Sequence, residues 1–241
     1  MIKWLEDAVF YEVYPQSFRD SNGDGIGDIP GITEKLEYIQ ELGCNALWIN
    51  PCFTSPFYDA GYDVEDYYSV APRYGTNEDL KKLFEAAHQR GMHVLLDLVP
   101  GHTAVTHPWF QESMKAEKNE YTDRYVWTDS LYKRMEDVKG IVSVLRGISP
   151  RPASCGVNCF STQPALNYGF ANITDAGWQQ PTDAPGPMAT REELKNIMRF
   201  WLTLGCDGFR VDMAGSLVKN DEDKKETIRL WQDVRAFLNK E

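Results

Sequence analysis

The amino-acid pattern predicts an α/β protein of the (β/α)8 TIM-barrel type. The chain covers about the first four β/α units plus an inserted subdomain between strand 3 and helix 3. Three observations carry this. Apolar runs of strand length alternate with amphipathic helical stretches from the start of the chain, the pattern of βαβ units. Those runs are apolar nearly throughout, as expected where both faces of a parallel sheet are covered. The alternation breaks once, between about Thr103 and Ala189, in a span with scattered aromatics and several Pro and Gly. A structureless loop of that length does not fit a compact domain, so the span reads as a small subdomain.

The elements follow in order. Strand one is Val9 to Tyr14, and helix one runs from Gly31 to Leu42, ended by Gly43. Strand two, Ala46 to Ile49, is stopped by Asn50-Pro51. After a loop rich in Tyr, Asp and Gly comes helix two, Asn77 to Arg90, closed by Gly91, and then strand three, Val94 to Val99. Beyond the insertion lie a helix from Arg191 to Leu204, strand four from Gly208 to Asp212, and a last helix from Asp223 to Asn239. The expected division is 1–102 for barrel units one to three, 103–189 for the subdomain and its flanks, and 190–241 for the third helix and fourth unit. A length of 241 residues at first suits one whole barrel of about 250. With the insertion set aside, the rest suffices for four strand and helix pairs, so the remainder of the barrel is expected to be absent. An open doubly wound sheet is the other arrangement of such units, but no G-x-G-x-x-G follows strand one, which disfavours the dinucleotide-binding version.

Composition excludes several classes. With 36 acidic against 25 basic residues the net charge is −11, which argues against a nucleic-acid partner. No run approaches the roughly 18 apolar residues of a membrane helix, and Met1 to Asp7 lacks the regions of a signal peptide. The expectation is therefore a cytoplasmic chain with no membrane partner. The five cysteines have no framework spacing. Cys44 and Cys206 read as small core residues. Cys155 and Cys159 read as reduced loop thiols, with a local disulfide or half of a metal site as the alternative.

Two constellations could carry chemistry. Asp20-Ser21-Asn22-Gly23-Asp24-Gly25-Ile26-Gly27-Asp28 places oxygen donors at alternate positions among glycines, which matches the first nine positions of a calcium loop. Asp20, Asn22, Asp24 and Asp28 would give side-chain oxygens and Ile26 its carbonyl, holding a structural Ca2+. Gly31 at position twelve and the absence of a preceding helix place the loop outside the EF-hand fold. The alternative is a solvated Asx and Gly turn. In a barrel, catalytic residues project from the carboxyl ends of strands. There stand Tyr62 and Asp63 after strand two, Asp97 and His102 at and after strand three, and Arg210 and Asp212 in strand four. Two residues apart in a strand, Arg210 and Asp212 share a face, and the arginine would keep the carboxylate ionised and ready as a nucleophile. Alone, the pair could be a structural ion pair, Asp63 a turn or cap residue, and His102 a satisfied buried histidine.

At these residues the chain resembles the α-amylase superfamily of glycoside hydrolases, especially its oligo-1,6-glucosidase and neopullulanase-like branch. Tyr11 to Phe18 looks like the first strand of that family, and Asp20 to Asp28 like its calcium loop. Gly61-Tyr62-Asp63-Val64 resembles the motif whose Tyr stacks on the sugar and whose Asp hydrogen-bonds its hydroxyls. Asp97 to His102 resembles the motif ending in a sugar-binding His, and Gly208 to Asp212 the motif holding the nucleophilic Asp and its partner Arg. Gln163 to Asn167 resembles a motif that varies with specificity. Gly101 stands where the family usually has an Asn that helps bind a calcium between barrel and subdomain, so that ion is expected to be missing. Ala165 stands where an Asp is usual, which leaves the preferred linkage open.

The resemblance implies a glycosidase acting on an α-glucan or oligosaccharide substrate by retaining double displacement, with Asp212 and Arg210 catalytic and Tyr62, Asp63 and His102 binding substrate. It places the acid/base Glu on a fifth strand and a stabilising Asp on a seventh. Neither motif is present, and Glu241 is in the wrong place to be that acid. The chain alone is thus expected to be incomplete as a catalyst. The rival readings are a non-catalytic amylase-like binding or interaction module, and a half-barrel that self-associates through its open barrel edge.

Overall fold

The structure, a computed structural model, describes residues 2–240; Met1 and Glu241, and with them any placement of Glu241 as an acid, lie outside the described residues. A 3-10 turn at Lys3–Glu6 precedes β1 (Phe10–Val13), α1 (Pro15–Phe18), α2 (Ile29–Glu34), α3 (Leu36–Glu41) and β2 (Ala46–Ile49). Next come β3 (Phe53–Thr54), β4 (Asp66–Val70), α4 (Asn77–Gln89) and β5 (His93–Leu98). Then follow α5 (Pro108–Ser113), β6 (Ser143–Leu145), β7 (Cys155–Val157), α6 (Pro185–Leu204), β8 (Gly208–Val211) and α7 (Lys225–Leu238).

The chain divides into two compact units. One comprises residues 1–54, 66–98 and 200–211. Its centre is the four-stranded sheet β1-β2-β5-β8, every neighbouring pair parallel, which is the partial (β/α)8 barrel anticipated from the pattern. Leu47, Ile49, Val94, Leu96 and Leu98 are buried on these strands, because apolar side chains on both faces find cover. Helix α4 begins with a capping box: the Thr76 hydroxyl accepts from the Asp79 amide while the Asp79 carboxylate accepts from the Thr76 amide. It ends before Gly91, whose φ of +69° suits the residue that closes it. Beside the sheet, β3 and β4 pair antiparallel, and Phe53 stacks on Trp201 at 5.0 Å between ring centres. The Trp201 indole N–H donates to the Tyr67 carbonyl at 2.8 Å, which satisfies the one polar atom of a fully buried ring.

The other unit comprises residues 55–65, 99–199 and 212–241. The expected insertion 103–189 thus forms one compact body with two loops from elsewhere and with α7. Its hydrophobic cluster is Val126, Met135, Val138, Ala165 and Phe170, with Trp178 packed against it. The antiparallel pair β6-β7 supplies the only regular sheet in this unit among the described residues.

Several expected boundaries move. Helix one starts earlier, capped by Asp28, and Lys35 at φ −106° divides it into α2 and α3. Helix α6 starts at Pro185, six residues before the expected Arg191, and β8 stops at Val211 so that Asp212 is the first residue after the strand. All five cysteines are free thiols. Cys206 is buried as expected, but Cys44 is only half-buried and is no core residue, while Cys155 is buried on β7 rather than lying in a loop. No helix among the described residues is long and apolar enough to cross a membrane.

Candidate active site

The loop 55–65 is built around one carboxylate. Asp63 has no accessible surface; its Oδ1 accepts from the Ser55 hydroxyl at 3.0 Å and the Asp59 amide at 3.1 Å, and its Oδ2 from the Tyr58 amide at 2.9 Å. Those bonds compensate for ordering a backbone that takes positive φ at Phe57 (60°) and Ala60 (53°), a strained conformation for residues with a Cβ. Asp63 shapes the loop: it is buried, and both its oxygens accept hydrogen bonds from loop donors. Tyr62 and Asp59 are partly exposed, and Tyr58 is 68% exposed.

His102 lies beneath this loop. Its Nε2 is 3.0 Å from the Tyr62 carbonyl oxygen and its Nδ1 is 3.1 Å from Asn158 Nδ2. Burial disfavours the imidazolium and pulls its pKa down to about 4, although the Tyr62 carbonyl and the negative charges of Asp212 and Asp63 act the other way. The ring is therefore neutral at neutral pH. Asp59 belongs to the same neighbourhood. Its Oδ2 accepts from Gln163 Nε2 at 2.6 Å, and its carboxyl pKa is raised by burial, with Asp63 and Asp212 adding to the shift and the Gln163 bond opposing it. The exposed Cys159 thiol is likewise raised by burial and by the charges of Asp59 and Asp212. The charges of Asp63 and Asp212 thus act on His102, which is bonded to the loop that carries Tyr62, and Asp59 and Gln163 belong to the same neighbourhood.

Gln163 opens the segment that resembles the specificity motif, whereas Asp59 was not singled out by the sequence. The available signal for Asp59 was a second carboxylate four residues before Asp63 in the same glycine-containing turn. Ala165, in the specificity motif, is fully buried in the hydrophobic cluster. Asp212 follows β8 directly and is partly exposed, and the next residue, Met213, has φ +47°.

Arg210 is placed by the sheet. The register sets Asp97 on β5 beside Arg210 on β8. Arg210 Nη1 donates to Asp97 Oδ1 at 3.0 Å and Oδ2 at 3.2 Å, and the guanidinium lies 4.9 Å from the centre of the Trp48 ring. Asp97 Oδ2 also accepts from Trp48 Nε1 at 3.0 Å. A fully buried carboxylate requires such a partner, so this much of Arg210 is structural.

The loop 20–28 is closed by its own amides. Asp20 Oδ1 accepts from Asn22 and Gly23 and its Oδ2 from Gly25, which holds the carboxyl pKa below the ordinary value. Asn22 Oδ1 accepts from Asp24, Asp24 Oδ1 from Ile26, and Asp28 from Ser21 and from Gly31, the latter as the cap of α2. This is the hydrogen bonding of a self-contained Asx turn. Among the described residues no three His, Cys, Asp or Glu side chains converge as a metal-holding group.

Residues 12–238 match the family described as Alpha amylase, catalytic domain. The chain belongs to the alpha-amylase family. Among curated members of that family, the oligo-1,6-glucosidase of Bacillus sp. (strain F5) is 38% identical over 219 residues, 91% of this chain and 40% of the relative. The trehalose synthase/amylase TreS of Mycolicibacterium smegmatis is 40% identical over 243 residues, 98% of this chain and 37% of the relative. Among solved members, isomaltulose synthase from Erwinia rhapontici NX5 superposes with a TM-score of 0.76 at 35% identity, covering 90% of this chain and 36% of that one. The chain therefore spans about 40% of the length of the curated alpha-amylase relatives it matches.

Proposed function

We propose that this chain is the nucleophile-bearing part of a catalytic domain that cleaves or transfers α-linked glucosyl units of an oligosaccharide. Asp212 is the nucleophile, Tyr62 the ring on which the sugar stacks, and His102 a polar contact to its hydroxyls. The observation that carries this reading is the convergence of Asp212, Asp59 and the neutral His102 with the loop that presents Tyr62. The names of the relatives support it: they include oligo-1,6-glucosidases, trehalose synthases and an isomaltulose synthase. Asp63 holds the loop, and Asp59, whose carboxyl feels the charge of Asp212, is assigned to the same sugar.

In the first step an Asp212 oxygen attacks the anomeric carbon, the glycosidic bond breaks, and a glucosyl ester of inverted configuration forms. In the second step water or a sugar hydroxyl displaces Asp212 and restores the original configuration. The proton for the departing oxygen comes from a carboxylic acid outside residues 2–240. Arg210, two residues before Asp212, is assigned its charge role on sequence position. Calcium is proposed for the loop 20–28 because its donors, Asp20, Asn22, Asp24, Asp28 and the Ile26 carbonyl, are all hard oxygens.

The test is Asp212→Ala in the full-length protein with an activated α-glucoside. Turnover is expected to fall to the uncatalysed level and to return on adding azide, with β-glucosyl azide as product. Residual turnover of the azide-free variant comparable to wild type would overturn the assignment.

A further inference from the structure

We propose that Lys219 is a positioning residue for His102: its ammonium group fixes which way round the Asn158 amide sits, and that amide fixes the ring tautomer of His102. The proposal rests on reading His102 and Tyr62 as sugar contacts, and it deepens that reading.

Lys219 is fully buried without a carboxylate partner among the described residues. Its Nζ donates to the Ser216 carbonyl at 2.8 Å and makes a long contact of 3.5 Å to Asn158 Oδ1. An ammonium only donates, so the Asn158 end facing it must be the oxygen. The opposite end of Asn158, which is 1% exposed, donates to Met213 Sδ at 3.6 Å and lies 3.1 Å from His102 Nδ1. The Met213 sulfur, which carries no hydrogen, agrees with the ammonium on which end of Asn158 donates, so His102 Nδ1 faces a donor. With Nδ1 accepting, the ring proton of neutral His102 sits on Nε2, where it donates to the Tyr62 carbonyl 3.0 Å away. If Asn158 were turned over, Nδ1 would carry the proton and the Nε2 lone pair would face the carbonyl oxygen, a repulsive contact inside the site.

The chain makes room for this relay. A Cβ on Gly101 would lie 2.6 Å from Asn158 Nδ2, and one on Gly140 would lie 3.1 Å from Lys219 Cδ. Burial, with a smaller contribution from the positive Lys224, lowers the Lys219 pKa to about 7. The neutral amine keeps N–H groups to donate but gains a lone pair, so it is the ammonium form that fixes Asn158, and the contact of Asn158 Nδ2 with Met213 Sδ favours the same orientation in either form. Positive charge on Lys219 also disfavours protonation of His102.

The experiment is imidazole 15N NMR of the full-length protein with histidine-selective labelling, the His102 signals being assigned by their loss in His102→Gln. Wild type and Lys219→Arg should give a single Nε2–H tautomer. Lys219→Met should add a measurable Nδ1–H population, together with a several-fold rise in KM and a smaller change in kcat. Asn158→Asp, which replaces the donor end by a carboxylate, should move the proton to Nδ1 and raise the His102 pKa; it tests the Asn158–His102 contact whether or not Lys219→Met folds. An unchanged single tautomer in a folded Lys219→Met, or in Asn158→Asp, overturns the proposal. A changed tautomer with unchanged kinetics upholds the positioning and overturns the reading of His102 as a sugar contact.

Discussion

His102 carries a pH dependence whose sign follows from its burial. Its pKa in the folded protein is about 4, against roughly 6.5 in an unfolded chain. Between these values the unfolded state binds a proton that the folded state does not. The stabilising contribution of the neutral ring is therefore complete above about pH 6.5 and is lost as the pH falls through about 4. A shift of this size corresponds to roughly 3 kcal/mol. Urea unfolding should give a lower stability near pH 4.5 than near pH 7, and His102→Gln should flatten that difference; an equal slope in the variant would refute the attribution. Gly101 offers a second check. Its Cβ would collide with the Asn158 amide, so Gly101→Ala should cost about 1–3 kcal/mol in the same assay, whereas a loss below the assay error would mean that Asn158 moves freely aside. The residues that sequence pattern located here were those whose type and spacing imply chemistry: Tyr62, His102 and Asp212. Asp63 was legible as a turn residue or as a sugar ligand but not as one of the two, because a sealed turn carboxylate and a sugar ligand look alike in one letter. Lys219 was silent for a similar reason, since a lysine after Leu217-Val218 reads as a surface charge until its burial is seen.

Local segments were legible in proportion to their regularity. The strands β1, β2, β5 and β8 are mostly apolar runs, broken only at positions such as Glu12, Asp97 and Arg210, and α4 carries a capping box at one end and a glycine at the other, so their places emerge to within a residue or two. The hairpin β3-β4 was not visible, because two residues of Phe53–Thr54 and the polar-rich Asp66–Val70 carry no period. The division of α2 from α3 at Lys35 leaves the hydrophobic period almost intact and so gives no signal. The loop 20–28 and α2 are joined through Asp28, which is 3% exposed and accepts from the Ser21 amide and hydroxyl and from the Gly31 amide. Asp28→Ala should lower stability by about 1–2 kcal/mol through loss of the cap alone. Calcium acts separately on the same segment. If the preformed loop takes the ion, calcium should raise Tm in proportion to the logarithm of its concentration, and Asp20→Ala should abolish the rise. A Tm indifferent to both calcium and chelator would leave the segment a hydrogen-bonded turn.

The arrangement of the sheet has consequences for the chain taken alone. In the order β1-β2-β5-β8, the two outer strands each present one edge without a strand partner among the described residues. Next to one edge, Val9 is 53% exposed and Phe10 39%. In the other unit, α7 exposes Ile228 at 53%, and an apolar groove runs along it between Ile228, Trp231, Arg235 and Ala236. Unpaired parallel edges and contiguous apolar surface are what a barrel covers when it closes, and chains that leave them open associate. The relatives, more than twice as long, have further chain with which to cover such surfaces. Residues 1–241 expressed alone should therefore sediment faster as concentration rises, and Ile228→Lys should weaken the effect, while the full-length protein should sediment independently of concentration. The same comparison reports on catalysis. If the acid that protonates the departing oxygen lies outside residues 2–240, as proposed, residues 1–241 should turn over an unactivated α-glucoside about 10²- to 10⁴-fold more slowly than the full-length protein. An aryl glucoside whose leaving group needs no proton should narrow that gap. A compact monomer that turns over both substrates at the full-length rate would place the acid within these residues and remove the need for further strands.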